Sequence, residues 1–154
     1  MDIKDNKYFD LFELEKNKAN LNLTAGRSVV CVDRKGDGEY GIYVANYGGP
    51  TRFYEIENEL IKDKAENLNL DNITGGRAVV SGHILTERAD IFAANERGAN
   101  YLFKNNNGNF YEVAFDYRLD DAIQNGRGTA LSDIYYRGRL DILSGNWLGY
   151  HRAW

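Results

Sequence analysis

The residues of this chain best placed to do chemistry are carboxylates at short, regular intervals. Asp33 and Asp37 flank the turn Asp33-Arg-Lys-Gly-Asp-Gly38, and Asp133 and Asp141 bracket a second turn of the same outline, Asp133-Ile-Tyr-Tyr-Arg-Gly138-Arg-Leu-Asp141. A loop of the form Asp-x-Asp-x-Asp-Gly-x-x-Asp points alternate carboxylates inward, and its glycine permits the sharp bend. Its oxygens then converge on a hard cation such as Ca2+. Here the pattern is eroded. Lys35 and Gly41 stand in ligand slots of the first turn, and Arg137 replaces the middle carboxylate of the other. Between them, His83-Ile-Leu-Thr-Glu87-Arg-Ala-Asp90 is shorter and lacks the bend glycine. Calcium wants about six to eight oxygens. A lysine or arginine is expected to supply the positive charge from within, pairing with the remaining aspartates. Any calcium binding at these turns is expected to be weak.

The turns recur because the chain repeats. Gly26-Arg27, Gly76-Arg77 and Gly126-Arg127 stand 50 residues apart, each opening a short apolar or small-residue run. Self-similarity at this period is the signature of a repeat architecture. It divides the chain into 26–75, 76–125 and an incomplete 126–154, with 1–25 as the end of a preceding repeat. Asn46, Asn95 and Asn146 end the second apolar run of each repeat, with Gly49, Gly98 and Gly149 just beyond. An aromatic (Tyr54, Phe103, Trp154) follows five residues later. Within a repeat the alternating, β-branched segments predict four strands. In the first these are 28–33, 40–46, 52–57 and 60–65. In the second they are 77–82, 90–95, 101–104 and 109–114, and in the third 127–133 and 140–146, with a last strand begun at 151–154. The segment Tyr47-Gly-Gly-Pro50 reads as a turn, as does Asn105-Asn-Asn-Gly108. Lys7–Leu11 occupies the slot of a fourth strand.

Four short strands in such a period make one blade of a β-propeller, so the expected fold is all-β, with antiparallel four-stranded blades stacked around a channel. Three blades fall below the usual range of about four to eight. The expectation is a stretch of a longer propeller. The other outcomes are an arc that pairs with a second copy into a six-bladed ring, and an arc that stays open.

The totals exclude several classes. A net charge of −4 and a pI near 5.2 argue against a nucleic-acid partner, which requires a basic stripe. No apolar run approaches the length of a membrane span, and the first residues show no apolar signal-peptide core. Cys31 is the single cysteine, so it has no internal disulfide partner. In the run Val29-Val30-Cys31-Val32 it reads as a small buried hydrophobe. His83 and His151 share no ligand spacing. No nucleophile–base pair or metal set stands out, and no catalytic residue is assigned.

Three segments carry a more specific resemblance. They are Gly26–Tyr47, Asp90–Asn105, and Leu140-Asp-Ile-Leu-Ser-Gly-Asn-Trp147 with Gly149 and His151-Arg152 beyond. Together they resemble the cartilage acidic protein (ASPIC) family, more closely than they resemble FG-GAP or VCBS-type repeats in general. The resemblance implies an integrin-like propeller in a secreted or matrix-associated glycoprotein, with calcium-binding loops and no catalytic activity. The chain lacks the family's C-terminal ASPIC-type segment and EGF-like module. It implies a non-catalytic, extracellular interaction module whose partner is another protein or the remaining blades. In a secreted protein the sequons Asn22-Leu-Thr and Asn72-Ile-Thr, each four residues before a Gly-Arg, would carry glycans on equivalent loops. The alternative is a lectin-like propeller binding glycan through Trp147 and Trp154, although the same residues suit packing between blades.

Overall fold

The computed structural model describes residues 2–4, 7–20 and 23–154. The chain is built from antiparallel strands and single 3-10 turns, and the sheet curls into a half-barrel of propeller blades. A hairpin, β1 (Asp2–Lys4) and β2 (Lys7–Phe9), comes first, followed by 3-10 turns at Leu11–Glu13 and Glu15–Asn17. The first blade is the meander β3 (Gly26–Val32), β4 (Gly41–Pro50), β5 (Arg52–Glu57) and β6 (Leu60–Asp63). The second is β7 (Ile73–Gly82), β8 (Asp90–Asn95), β9 (Tyr101–Asn106) and β10 (Asn109–Glu112). The third comprises β11 (Gly126–Ser132), β12 (Asp141–Asn146) and the short β13 (Arg152–Ala153). The first strands of the three blades, β3, β7 and β11, lie side by side.

Two turns of the meanders follow directly from their residues. β5–β6 and β9–β10 are joined by two-residue turns at Asn58-Glu59 and Asn107-Gly108, with positive φ at both positions. That pattern matches the right-handed twist of the flanking strands. The second turn is narrower than the Asn105–Gly108 span expected, because Asn105 and Asn106 still pair in β9.

Three expectations need correction. Tyr47–Pro50 is no simple turn. β4 runs on through it, with Gly48 at positive φ, and pairs with the extended start of β7 (Tyr47 opposite Gly75, Pro50 opposite Ile73). The first two blades are thereby joined edge to edge in one sheet. Lys7–Leu11 is a strand only as far as Phe9. Asp10 then ends it by accepting the Phe12 N–H at 2.9 Å, which starts a 3-10 turn. Cys31 lies on β3 as expected, but it is exposed. β7 is flanked by first strands on both sides, whereas β3 has one on its downstream side only.

The repeated Gly-Arg pairs turn out to be β-bulges. In all three blades the register shifts between the glycine and the residue after the arginine: Gly26/Ser28, Gly76/Ala78 and Gly126/Gly128, with the glycine opposite Asn46, Asn95 or Asn146. The arginine is the extra residue, and a bulge re-aims its side chain. The glycine serves the junction between blades. A Cβ on Gly76 would stand 2.7 Å from the Asn46 carbonyl oxygen of the preceding blade, and one on Gly126 would stand 2.9 Å from that of Asn95.

Side chains fill each junction. Tyr43 and Phe53 of the first blade meet Ile91, Phe103 and Phe110 of the second. Phe92 and Leu102 of the second meet Ile142 and Trp154 of the third. β8, covered on both faces, is buried along its whole length. On the upstream side of the first blade, a smaller cluster forms where Leu11 and Phe12 cover Tyr54 and Ile61. Overpacking a backbone contact costs about 1–3 kcal/mol. Gly76→Ala is therefore expected to lower the unfolding free energy by about that amount in urea titrations.

Candidate functional site

The meander places the strand-one-to-two turns and the strand-three-to-four turns at one end of the arc. The strand-two-to-three loops lie at the other end. Each end has its own repeated chemistry.

At the first end stand the aspartate turns. Asp33 is a cap for its own loop: its Oδ1 accepts from the N–H groups of Gly36 (2.7 Å) and Asp37 (3.2 Å), and its Oδ2 accepts from Gly38 (2.9 Å). Donation by Gly38, opposed by desolvation and reinforced by Gly36 and Asp37, holds its carboxyl below the usual aspartate range. Asp37 accepts from the Glu39 N–H at 3.0 Å, with Lys35 Nζ 4.0 Å from its other oxygen. Gly41 takes the last ligand slot, and a side chain there would run into the Phe53 ring. In the third turn, Asp133 accepts from the N–H groups of Arg137 (2.8 Å) and Gly138 (2.7 Å). The Arg137 N–H, countered by desolvation and helped by the other donors and the Arg137 charge, again lowers that carboxyl. Asp141 accepts from the Ile134 N–H at 2.9 Å and pairs with the Arg137 guanidinium at 2.5 Å. A guanidinium therefore stands where a cation cage would close. These donor sets do not fit a resident calcium ion. Among the described residues no group of three or more metal-ligating side chains gathers.

The second turn is organised by Asp90, which the sequence pattern showed only as its last residue. Fully buried, it accepts from the N–H groups of Ile84 (3.2 Å), Leu85 (2.7 Å), Thr86 (3.0 Å) and Asn105 (2.7 Å), and from the Thr86 hydroxyl (3.1 Å). Asn105 in turn donates to the carbonyls of Arg34 (2.9 Å) and Ala89 (3.0 Å). Arg34 reaches Glu55 at 2.6 Å and the Gly108 carbonyl at 2.9 Å. The turns of the first two blades are thus cross-tied. An open, polar cleft of about 890 Å3 lies between them, lined by Thr86, Glu87, Arg88, Lys104, Asn107 and Tyr111 among others.

At the opposite end the bulged arginines form a ladder with the residue that follows each strand-ending asparagine. Arg77 lies 4.8 Å from the Tyr47 ring centre of the blade before it. Glu96 is shared between Arg77 of its own blade and Arg127 of the next, the latter at 2.6 Å. The Arg127 guanidinium then stands 4.0 Å over the Trp147 ring. Arg27 approaches Tyr47 at 5.7 Å from within the first blade. Each asparagine side chain pins its own loop by donating to the carbonyl four residues on: Pro50 at 2.7 Å, Ala99 at 2.5 Å and Tyr150 at 2.6 Å. The sequence pattern exposed these asparagines and arginines, but not Glu96, whose repeat equivalents are aromatic. It also missed a periodic cap. Asp63 and Glu112, ending β6 and β10, accept from the Ala65 (3.0 Å) and Ala114 (2.7 Å) N–H groups, as Asp10 does from Phe12.

The remaining candidates fall in separate places. Trp154 is half-buried, its ring 6.0 Å from Phe92 in the core between blades. Trp147 is half exposed on the ladder. Asn72 lies partly exposed just before β7, and Asn22 lies outside the described residues. His151 Nδ1 accepts the Asn146 N–H at 3.0 Å, closing a loop, while His83 sits exposed on a turn.

The sequence that builds this geometry has relatives. Cartilage acidic protein 1 of Homo sapiens is 42% identical over 98% of this chain, and that of Mus musculus 40% over 98%. That of Xenopus tropicalis is 39% identical over 97%. The chain is thus similar, over almost its whole length, to cartilage acidic protein 1. It spans about a quarter of the length of those relatives, 25–26% of each. No family model matches the chain. No helix among the described residues is long and apolar enough to cross a membrane.

Two outcomes follow from the site. Desolvation pushes the Glu96 carboxyl up, but the hydrogen bonds and charges of Arg77 and Arg127 together pull it below the ordinary glutamate range. A folded-state value below the unfolded one gives stability that is complete above about pH 4.5 and lost as pH falls through the folded value. Glu96→Gln should be less stable at neutral pH, and its deficit should vanish in acid when melting temperature is followed against pH. Asp90→Ala strips four N–H groups of their acceptor. It should cost more than about 3 kcal/mol in chemical denaturation.

Proposed function

We propose that this chain is a non-catalytic, extracellular, matrix-type interaction module that presents its blade loops to another protein. The observation carrying this reading is its identity of about 40% with proteins named for cartilage, a matrix tissue, across almost the whole chain. The chemistry of the site agrees with it. The aspartates are engaged in bracing turns, and the arginines in joining blades. Both histidines lie outside any nucleophile–base arrangement. The cleft between the turns of the first two blades is the surface we assign to the partner. It mixes both charge signs with amides and the half-exposed Tyr111 ring. The activity and partners of the whole relatives belong to this reading as proposals, as does glycosylation of Asn22 and Asn72 in a secretory host.

The test is binding of the purified chain to immobilised cartilage-matrix components, collagen and proteoglycan, beside cytoplasmic proteins as controls. Saturable retention weakened about tenfold or more by Arg88→Glu or Tyr111→Ala supports the proposal. Retention no greater than on the controls overturns it.

A second reading, a lectin-like module, is favoured by the half-exposed Trp147 and by the amide-rich cleft. Glycan-array binding lost in Trp147→Ala or Tyr111→Ala would establish it in place of the first. In either reading the turns stand without resident calcium. Calorimetric titration is expected to show no site tighter than about millimolar. A micromolar site abolished by Asp37→Ala would contradict that.

A further inference from the structure

Arginines that give up part of their hydration in this fold find a carboxylate. The partly buried Arg34, Arg52, Arg77, Arg127 and Arg152 each pair with one. Among the described residues Arg88 is the exception. It is partly buried, yet its guanidinium meets neither a carboxylate nor another hydrogen-bond acceptor. The ammonium of Lys104, also partly buried, is in the same position. Taking a charge out of water without a partner is unfavourable, and such a group calls for an explanation.

Both cations line the polar cleft of about 890 Å3 between the turns of the first two blades. The cleft is built, and its walls are held. Gly36 of the first turn, at φ 73°, leaves the space that the Arg88 guanidinium occupies, since a Cβ there would run into Nη1. The Arg88 N–H donates to the Thr86 hydroxyl at 3.2 Å, and Asp90 ties this turn to the β9–β10 hairpin through the Asn105 N–H at 2.7 Å. Lys104 stands opposite Tyr111 in the β9–β10 register, so both side chains rise from one face of the sheet. The Tyr111 ring is 54% exposed, and Asn106 and Asn107 line the same cleft from the exposed tip of the hairpin.

We propose that this cleft takes a carboxylate side chain from an acidic segment of a partner protein, which deepens the interaction-module reading above and rests on it. The guanidinium fork of Arg88 matches the two oxygens of a carboxylate. The Lys104 ammonium adds a second charge, and the Tyr111 ring offers the flanking residues an apolar surface. Asn106 and Asn107 supply amides for the main chain of the segment. The volume falls within the range of ligand clefts, about 300–1,000 Å3, which is room for a short stretch of chain. Charge elsewhere disfavours a sulfated polysaccharide. The chain carries −4 overall, and Glu87 stands exposed at the cleft. A polyanion meets that field along its length, whereas one carboxylate needs only the two cations.

The probe is a capped peptide of alternating glutamate and serine, with its glutamine counterpart as control, titrated into the isotope-labelled chain and followed by NMR. The acidic peptide is expected to shift the amides of Arg88, Lys104, Asn106 and Asn107 saturably, and the glutamine peptide to leave them in place. Arg88→Gln and Lys104→Gln should each weaken binding about tenfold or more. Both should keep the wild-type melting temperature, because neither cation has a partner in the chain to lose. Arg97→Gln removes an exposed arginine at the opposite end of the arc and should change nothing. The absence of a saturable shift with the acidic peptide overturns the proposal, as does binding that Arg88→Gln leaves intact or that Arg97→Gln weakens equally. A heparin oligosaccharide that shifts these amides when the acidic peptide does not also overturns it, in favour of a polyanionic glycan. Matrix components retained by a chain that ignores the acidic peptide would leave the proposed function standing and remove this inference. Peptide binding by a chain that retains no matrix component would remove the matrix reading and support the carboxylate site.

Discussion

Everything in this fold depends on how closely one blade's backbone can approach the next. At Gly76 and Gly126 the space for a side chain is taken by the carbonyl oxygen of the preceding blade's last strand-two residue. That approach fixes the spacing of the first strands around the arc, and the spacing decides whether the aromatic cores between blades close. The bulge that makes it possible also turns an arginine out of the sheet and aims it along the junction. One local irregularity thus does two jobs. It removes a steric obstacle and delivers a charge to the place where two blades must be held.

The charges are used in a consistent way at both ends of the arc. The carboxylates that brace these turns and junctions accept from backbone N–H groups or guanidinium groups. In the third turn Arg137 satisfies Asp141 from within the loop. Across the second junction Glu96 is held between two arginines. Charge-assisted hydrogen bonds of this kind are stronger than neutral ones, and here they order the turns and the junction between blades. The cost is a dependence on pH, since a bracing carboxylate that becomes protonated no longer braces.

The repeat and the strands within it were legible in the sequence because they depend on local patterning, although β4 and β7 run longer, and β6 and β10 shorter, than the patterning implied. Arg52–Glu57 and Asp90–Asn95 come out with the bounds that alternation and breakers implied. Less legible were features that exist only between blades. Tyr47–Pro50 has the composition of a turn, but pairing with β7 draws it into the sheet. Cys31 sits in an apolar run, and its exposure follows from what lies beside β3. The Gly-Arg marks were visible as a period, while their meaning as bulges required the register. Glu96 had no signal at all, since Tyr47 and Trp147 hold the equivalent positions.

If the junction holds the blades together as described, they cannot open one at a time. The amides that tie each loop to the segment leading into the next blade report this directly. These are Thr51, bonded to the Asn72 carbonyl at 3.1 Å, and Asn100, bonded to that of Asp120 at 2.6 Å. Native-state hydrogen exchange in increasing denaturant measures the free energy that opens each one. Both are expected to exchange only through global unfolding, with the same opening free energy and the same denaturant dependence as the core amides of β8. Exchange of Thr51 or Asn100 through a low-energy opening that leaves β8 protected would contradict the account.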